Sequence, residues 1–201
     1  MLIRLCSSSH SLATACALIL AAGSASAQNN VTFIDGGYAE ICEAVAKTLD
    51  EPSRQVITGS RLGISPLEVC TLAIEAPENN REQRAGSYNN RAVLKFDLMD
   101  FDGALADLDS AIVEQPTLGQ AHANRGYVLA AQKRWQDAIA AFNEAATLGT
   151  DEPARVHFNR GIVHEELGQT REAYFDYLKA SELAPEWDQP KSELTRFTVR
   201  R

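Results

Sequence analysis

Three asparagines recur at nearly even spacing, and each is followed by an arginine and a small residue. The triplets lie 34 and 35 residues apart and read Asn90-Arg91-Ala92, Asn124-Arg125-Gly126 and Asn159-Arg160-Gly161. A carboxamide both donates and accepts hydrogen bonds, so it can bind a peptide backbone whatever side chains the peptide carries. The alternative is that these asparagines bond to nearby backbone within their own helices or turns.

A second group that could do chemistry is the pair His157 and His164, with Glu165 beside them. Two zinc-binding histidines on a helix usually lie four residues apart, whereas a spacing of seven separates them by about 10 Å along the axis. We therefore expect both histidines to be packing residues. The sequence contains no phosphate-binding glycine loop, nucleophile elbow or catalytic Cys-His-acid order, so it predicts no enzyme, no metal site and no cofactor.

The triplets belong to a longer repeat. Counted from the last residue of each triplet, a small residue recurs twelve and nineteen positions later, at Ala104, Ala138 and Ala173 and at Ala111, Ala145 and Ala180. A period of this size is typical of stacked helical units, each too small to bury its own apolar face. Apolar periodicity predicts paired helices at about 84–98 and 101–114, 118–132 and 135–148, and 153–167 and 171–183. The small residues let paired helices approach closely, and Leu108, Phe142 and Tyr177 fill the space between them.

This pattern resembles the tetratricopeptide repeat family, whose signature places a small residue, an alanine followed four positions later by an aromatic residue, and then alanine and proline at set offsets. In family register the copies cover 85–118, 119–152 and 154–187, and Pro116 and Pro185 fall where the family has proline. The chain departs from the signature at several first-helix positions and at Thr150, which replaces a proline. The resemblance implies an all-α fold, an α-solenoid of stacked antiparallel helix hairpins, with a capping helix and tail at 187–201.

The resemblance also implies a role in protein–protein interaction. The first helices of stacked hairpins line a concave groove that accepts a peptide or a partner helix. In the family, asparagine at the triplet position contacts bound peptide, and Arg155 stands where some relatives use a basic residue to hold a terminal carboxylate. We therefore predict a peptide-binding site made of Asn90, Asn124, Asn159, Tyr127, Arg155 and Phe158.

The first 27 residues have the features of a cleavable signal peptide. Arg4 is a basic start, residues 12–22 are a short apolar stretch, and Ala25-Ser26-Ala27 fits the signal peptidase rule. We predict a mature chain that begins at Gln28 and is periplasmic or secreted. The apolar stretch is shorter than the roughly 20 residues that a transmembrane helix needs, so no membrane span is expected.

Loss of this leader would remove Cys6 and Cys16 and leave Cys42 and Cys70. Two remaining cysteines in an oxidising compartment indicate one disulfide. The alternatives are two separately buried thiols or a metal site, the second less well supported because zinc takes four ligands. Both cysteines fall in predicted helices, at 38–49 and 66–75, within an N-terminal helical region at 28–80. The sequence leaves open whether this region is a degenerate repeat.

Charge disfavours nucleic acid as a partner. The chain holds 27 acidic and 19 basic residues, a formal net charge of −8, and its lysines and arginines form no stripe that could follow a phosphate backbone. Two classes of function remain. One is an exported adaptor that binds a protein partner, and the other is an enzyme or small-ligand carrier with a site at residues 31–80. Residues 31–80 contain no histidine, and no free thiol if the disulfide forms. We therefore favour the adaptor.

Overall fold

The computed structural model describes residues 15–21, 30–36, 38–47 and 65–197. The predicted signal peptidase site at 25–27, residues 48–64 and residues 198–201 lie outside these ranges. The described elements, in chain order, are β1 (Ala15–Ala21), β2 (Asn30–Gly36), α1 (Tyr38–Lys47), α2 (Pro66–Glu75), α3 (Arg81–Asp97), α4 (Phe101–Glu114), α5 (Gly119–Ala131), α6 (Trp135–Leu148), α7 (Pro153–Glu166), α8 (Thr170–Leu183) and α9 (Asp188–Leu194).

The two strands form an antiparallel ribbon in which Leu18 lies opposite Phe33. Strand β1 falls inside the segment predicted to be a leader, and β2 immediately precedes α1. The described elements that follow the ribbon are all helical. The predicted all-α fold class is therefore confirmed for the body of the protein.

Helices α3 to α8 form three hairpins that stack side by side. Helix α3 packs on α4, α5 on α6 and α7 on α8, and each second helix also contacts the first helix of the next hairpin. Contacts from α3 to α5 and from α5 to α7 place the first helices along one side of the stack. This arrangement is the α-solenoid that the repeat period predicts, and it gives the stack a concave face.

Local sequence determines where several helices begin and turn. Asn80 caps α3 by accepting a hydrogen bond from the Gln83 amide at 2.9 Å, while the Gln83 side chain accepts from the Asn80 amide at 3.0 Å. Because of this capping box, α3 begins at Arg81, three residues before the predicted boundary. The chain reverses direction inside each hairpin through one residue with positive φ, namely Met99, Lys133 and Gly168 at 61°, 60° and 71°.

The last residue of each triplet packs against the residue sixteen positions later, on the second helix of the same hairpin. The three pairs are Ala92 with Leu108, Gly126 with Phe142 and Gly161 with Tyr177. A Cβ added at Gly126 would lie 2.5 Å from the ring of Phe142, and one at Gly161 would lie 2.8 Å from the ring of Tyr177. Glycine is therefore required where an aromatic ring faces it, whereas alanine fits opposite the smaller leucine.

The arginine of each triplet forms an ion pair with an aspartate on a second helix. The pairs are Arg91–Asp107 at 2.7 Å, Arg125–Asp109 at 2.9 Å and Arg160–Asp176 at 2.6 Å. Asp107 and Asp176 follow their arginines by sixteen residues and are each 4% exposed. Arg125 has Ala141 at that offset, so it pairs with an aspartate of the preceding hairpin instead. The triplets thus close and join hairpins.

A disulfide joins the two N-terminal helices. Cys42 on α1 is bonded to Cys70 on α2, with a Cα–Cα distance of 4.8 Å, as the cysteine count predicts. Both cysteines are fully buried in a small apolar cluster that includes Leu94 of α3. Helix α1 contacts both α2 and α3, so this pair stacks against the first hairpin. That it is a degenerate repeat stays a prediction.

The last hairpin is covered by aromatic side chains around α9. Trp187, which precedes α9, lies 4.7 Å from Phe158 of α7, measured between ring centroids. Phe197, which follows α9, lies 6.0 Å from Tyr177 of α8. Helix α9 spans only part of the segment at 187–201 predicted to hold a capping helix and tail. Residues at both of its ends shield the apolar surface that a terminal hairpin leaves open.

We expect Gly126→Ala to lower the free energy of unfolding by about 1 to 3 kcal/mol, because the added methyl group would overlap the ring of Phe142. Phe142→Leu recreates the alanine–leucine pair of the first hairpin, so the double variant should be more stable than the two single changes predict when added. Urea unfolding followed by circular dichroism measures these differences. Gly86→Ala is the matched control, since beyond its chain neighbours and its own helix backbone no atom lies within 4 Å of a Cβ there. Strict additivity would contradict the pairing.

Reduction of the Cys42–Cys70 bond should lower the free energy of unfolding by about 3 to 4 kcal/mol, because the bond closes a loop over a separation of 28 residues. Urea unfolding with and without reductant measures the difference. The double variant Cys42→Ala with Cys70→Ala should show no effect of reductant. Stoichiometric labelling of thiols in unfolded, unreduced protein would show that the bond does not form.

Candidate functional site

The inner sides of α1, α3 and α5 and the start of α7 enclose an open groove of about 760 Å³. Its lining combines two kinds of group that suit a peptide. Apolar surface comes from Val93, Phe96, Leu118, Tyr127 and Val128, and carboxamides come from Asn89, Asn90, Gln120 and Asn124. This groove is the concave face that the repeat predicts.

The carboxamides of the groove form a chain of hydrogen bonds from α5 to α3. Gln120 donates to Asn124 at 3.4 Å, Asn124 donates to Asn89 at 2.8 Å, and Asn89 donates to Asn90 at 3.3 Å. At the start of the chain, Gln120 Oε1 is closed from solvent and has no partner in the described part of the protein. A buried acceptor without a donor is unfavourable, so a turn of this amide toward a ligand N–H would relieve it.

Tyr127 forms part of the groove wall and packs edge-on against Phe142, with ring centroids 5.2 Å apart. Burial, helped by the Glu152 carboxylate and opposed by Arg155, raises the pKa of Tyr127 to about 12. The phenol therefore stays neutral at physiological pH. It offers a ligand an apolar ring with a hydroxyl that can donate a hydrogen bond.

Arg155 lies at the α7 end of the groove and is not a free cation. Its guanidinium forms an ion pair with Glu152 at 3.3 Å, and both side chains are about half exposed, at 54% and 52%. Such a surface pair contributes little stability, but it partly neutralises the charge that would hold a terminal carboxylate. A terminal carboxylate would therefore have to compete with Glu152, one helical turn away, for the guanidinium of Arg155.

The structure brings Asn90, Asn124, Tyr127 and Arg155 to one groove, but places Phe158 and Asn159 elsewhere. These two line a neighbouring cavity of about 610 Å³ between α7 and the end of α8, which shares Asp151, Glu152 and Arg155 with the groove. Asn159 donates to the Arg155 backbone carbonyl at 2.9 Å, which is the intrahelical alternative for this asparagine. Phe158 packs against Tyr177 of α8 and against Trp187, one of the aromatic residues that cover the last hairpin.

Sequence reasoning did not predict the wall that α1 contributes. Ala39, Glu40, Glu43 and Ala46 line the groove from this helix, beside Glu82 at the start of α3. No triplet marks α1, so the repeat register could not place it. The available signal was helical spacing, since residues 39, 43 and 46 recur every three or four positions and fall on one helix face.

His157 and His164 meet at one buried carboxylate. His157 Nδ1 lies 2.9 Å from Asp176 Oδ1, His164 Nε2 lies 3.7 Å from Asp176 Oδ2, and Arg160 bonds to the same carboxylate. Burial by itself would raise the pKa of Asp176, but hydrogen bonds from Arg160 and His157 outweigh it and hold that pKa below its ordinary value. The two histidines thus help to fasten α7 to α8.

Other sites are less well supported by the described residues. The described residues include no group of three or more His, Cys, Asp or Glu side chains placed to hold a metal ion. Among the described helices, none has the combined length and apolar content needed to cross a bilayer. The groove is therefore the candidate site with the most chemistry in its lining.

Comparison with known proteins agrees with the fold. Residues 89–153 and residues 154–187 each match a family model described as tetratricopeptide repeat. No curated protein gives a significant sequence match.

Similar solved structures include YrrB, described as a tetratricopeptide repeat protein with an unusual peptide-binding site, at TM-score 0.57 and 23% identity over 64% of this chain and 63% of that one. MamA gives a TM-score of 0.56 at 20% identity, over 64% of this chain and 72% of that one. The first repeat domain of Spaghetti (RPAP3), bound to the HSP90 peptide SRMEEVD, gives 0.54 at 22% identity, over 57% of this chain and 90% of that one. At these identities the likeness concerns the fold.

Asp176→Asn should lower the free energy of unfolding at neutral pH by about 3 kcal/mol, because it removes the charge that pairs with Arg160 between α7 and α8. Since folding depresses the pKa of Asp176 below the ordinary 3.8, its contribution is present above that pH and is lost as pH falls through the folded value. Wild type and variant should therefore converge in acid, as measured by urea unfolding across pH.

Asp137→Asn provides the control for this experiment, because the Asp137–Arg134 pair is about half exposed on both sides. It should change the free energy of unfolding by less than about 1 kcal/mol. A difference between wild type and Asp176→Asn that stays constant from neutral pH into acid would contradict the role assigned to the ionised carboxylate.

Proposed function

This chain belongs to the tetratricopeptide repeat family, and on that premise we propose that it is an adaptor that binds a segment of another protein in the groove between α1, α3, α5 and the start of α7. The observation that carries the proposal is the lining of the groove. Apolar side chains there can bury the side chains of a peptide, and the linked carboxamides can bond to its backbone.

Two similar structures support a peptide as the ligand. YrrB is described as having a peptide-binding site, and the Spaghetti domain is bound to a peptide. Both share this fold at low identity, so they support the class of ligand and not its sequence. The residues that line the groove of this chain are therefore the guide to its partner.

The alternative is an enzyme or small-ligand carrier with a site at residues 31–80. In the described part of that region, Cys42 and Cys70 are bonded to each other, so neither is available as a nucleophile. The polar residues of α1 that face an opening, Glu40 and Glu43, face the groove itself. Glu40 and Glu43 are thus part of the proposed binding groove of the adaptor, whereas an enzyme or carrier would need a separate site at residues 31–80.

We also propose that the adaptor works outside the cytoplasm, in the periplasm or after secretion. The predicted leader at 1–27 supports this location. The disulfide supports it as well, because disulfides persist in oxidising compartments and are rare in the cytosol.

A photo-activated crosslinker in place of Val93 should trap a partner protein in cell-envelope extract, because Val93 lines the groove. The same crosslinker in place of Gln136, an exposed residue of α6 outside the groove, is the control. Mass spectrometry of the crosslinked species identifies the partner segment. Equal trapping at both positions, or trapping at position 136 alone, would show that the groove is not the binding surface.

A further inference from the structure

Acidic side chains are concentrated around the groove. Among the described residues that line it, six are acidic and one is basic, compared with 27 acidic and 19 basic residues in the whole chain. The six are Glu40, Glu43, Glu82, Asp97, Asp151 and Glu152. The basic residue, Arg155, is already paired with Glu152 at 3.3 Å. The groove therefore carries a local excess of negative charge that the overall composition does not require.

Several cations of the described helices are held away from the groove by partners of their own. Arg91 and Lys95 both bond to Asp107 between α3 and α4, and Arg160 bonds to Asp176 between α7 and α8. Arg81 and Arg84 bond to Glu114, and Arg125 bonds to Asp109. None of these residues lines the groove. Each of these pairs also occupies a carboxylate, but together they hold the cations at the hairpin interfaces and away from the groove.

Three of the groove carboxylates have no ion-pair partner among the described residues: Glu40 on α1, Glu82 in the first turn of α3 and Asp151 before α7. All three are exposed. They come from three separate elements, so their charge surrounds the groove instead of forming one patch. A ligand with several positive charges can therefore meet carboxylates on more than one wall, which raises both its rate of association and its selectivity.

We propose that the groove binds an extended, lysine- or arginine-rich segment of a partner protein. This inference rests on the proposed function and adds the charge and conformation of the ligand. Lysine and arginine also carry long apolar stems, which suit the surface around Val93, Phe96 and Tyr127 while their charged ends reach the carboxylates. A peptide that ends in acidic residues would meet the wrong sign of charge.

An extended segment fits the carboxamides better than a helix does. A helix has satisfied most of its own backbone groups, whereas an extended chain presents free N–H and C=O groups to side chains such as Gln120 and Asn124. Gln120 Oε1 has no donor among the described residues, so a backbone N–H of the segment supplies one after the amide turns.

The test uses the full chain and three fluorescent peptides of equal length, in which lysines alternate with alanine and leucine, or are all replaced by glutamine, or are all replaced by glutamate. Anisotropy titration should give a Kd for the lysine peptide at least about tenfold below that of the glutamine peptide. The glutamate peptide should not bind, and added salt should raise the Kd of the lysine peptide. Equal affinities for the three peptides would overturn the inference.

Removal of groove charge gives the matched variant test. The triple variant Glu40→Gln, Glu82→Gln and Asp151→Asn should raise the Kd of the lysine peptide by about tenfold, since the loss of each exposed ion pair weakens binding by roughly twofold and the three losses multiply. The control removes three exposed carboxylates outside both cavities, Glu144→Gln, Glu172→Gln and Glu186→Gln. It should change the Kd by less than about twofold. Equal loss in both triple variants would mean that net charge, not the groove, attracts the peptide.

Two further outcomes separate this inference from the proposed function. Suppose that the glutamine or glutamate peptide binds as tightly as the lysine peptide and the crosslinker at position 93 still traps a partner. The proposed adaptor function is then supported, and the proposed preference for a basic segment is contradicted. If no peptide binds and the crosslinker at position 93 traps nothing, both the adaptor function and the basic ligand are contradicted. Spermidine that binds as tightly as the lysine peptide, or self-association of the chain through the groove, would also overturn a basic partner segment as the occupant.

Discussion

The close approach of paired helices is the constraint on which the rest of this structure depends. Gly126 and Gly161 leave no room for a methyl group beneath Phe142 and Tyr177, and Ala92 faces the smaller Leu108. Each hairpin closes because the sizes of two residues sixteen positions apart are matched. A hairpin that closed less tightly would change the angle at which the next one stacks, and the concave face depends on that stacking.

Buried ion pairs reinforce the same contacts and also shape the electrostatics of the surface. An aspartate at 4% exposure is tolerated at position 107 or 176 because an arginine of the facing helix bonds to it with two nitrogens. These pairs stabilise the hairpins while they neutralise arginines at the hairpin interfaces. The charge left facing the groove is then mainly negative. One set of contacts therefore both holds the fold together and keeps these arginines away from the groove.

The groove is built from parts with unequal support. Its α3 and α5 walls belong to hairpins that pack in regular succession, whereas its α1 wall is attached to α2 by the Cys42–Cys70 bond and to α3 by a small apolar cluster. The disulfide therefore stabilises a surface that carries Glu40 and Glu43. If the chain works in an oxidising compartment, as proposed, that environment maintains one side of the binding surface.

Residue type and period were enough to predict the stacked hairpins and the helix pairs to within a few residues, and the cysteine count together with the predicted leader gave the pairing of Cys42 with Cys70. Those features depend on local spacing, because a small residue at a fixed offset has the same consequence in every copy. The wall from α1, the approach of His157 and His164 to Asp176 and the separation of Asn159 from the other asparagines depend on contacts between distant elements. The three triplets read alike, yet Asn124 bonds across to α3 while Asn159 bonds within its own helix. The chain by itself determined which units would form and stack. Only the tertiary structure decided which polar groups face the same open space, because side-chain partners across a helix interface depend on the size and charge of the residues that happen to oppose them.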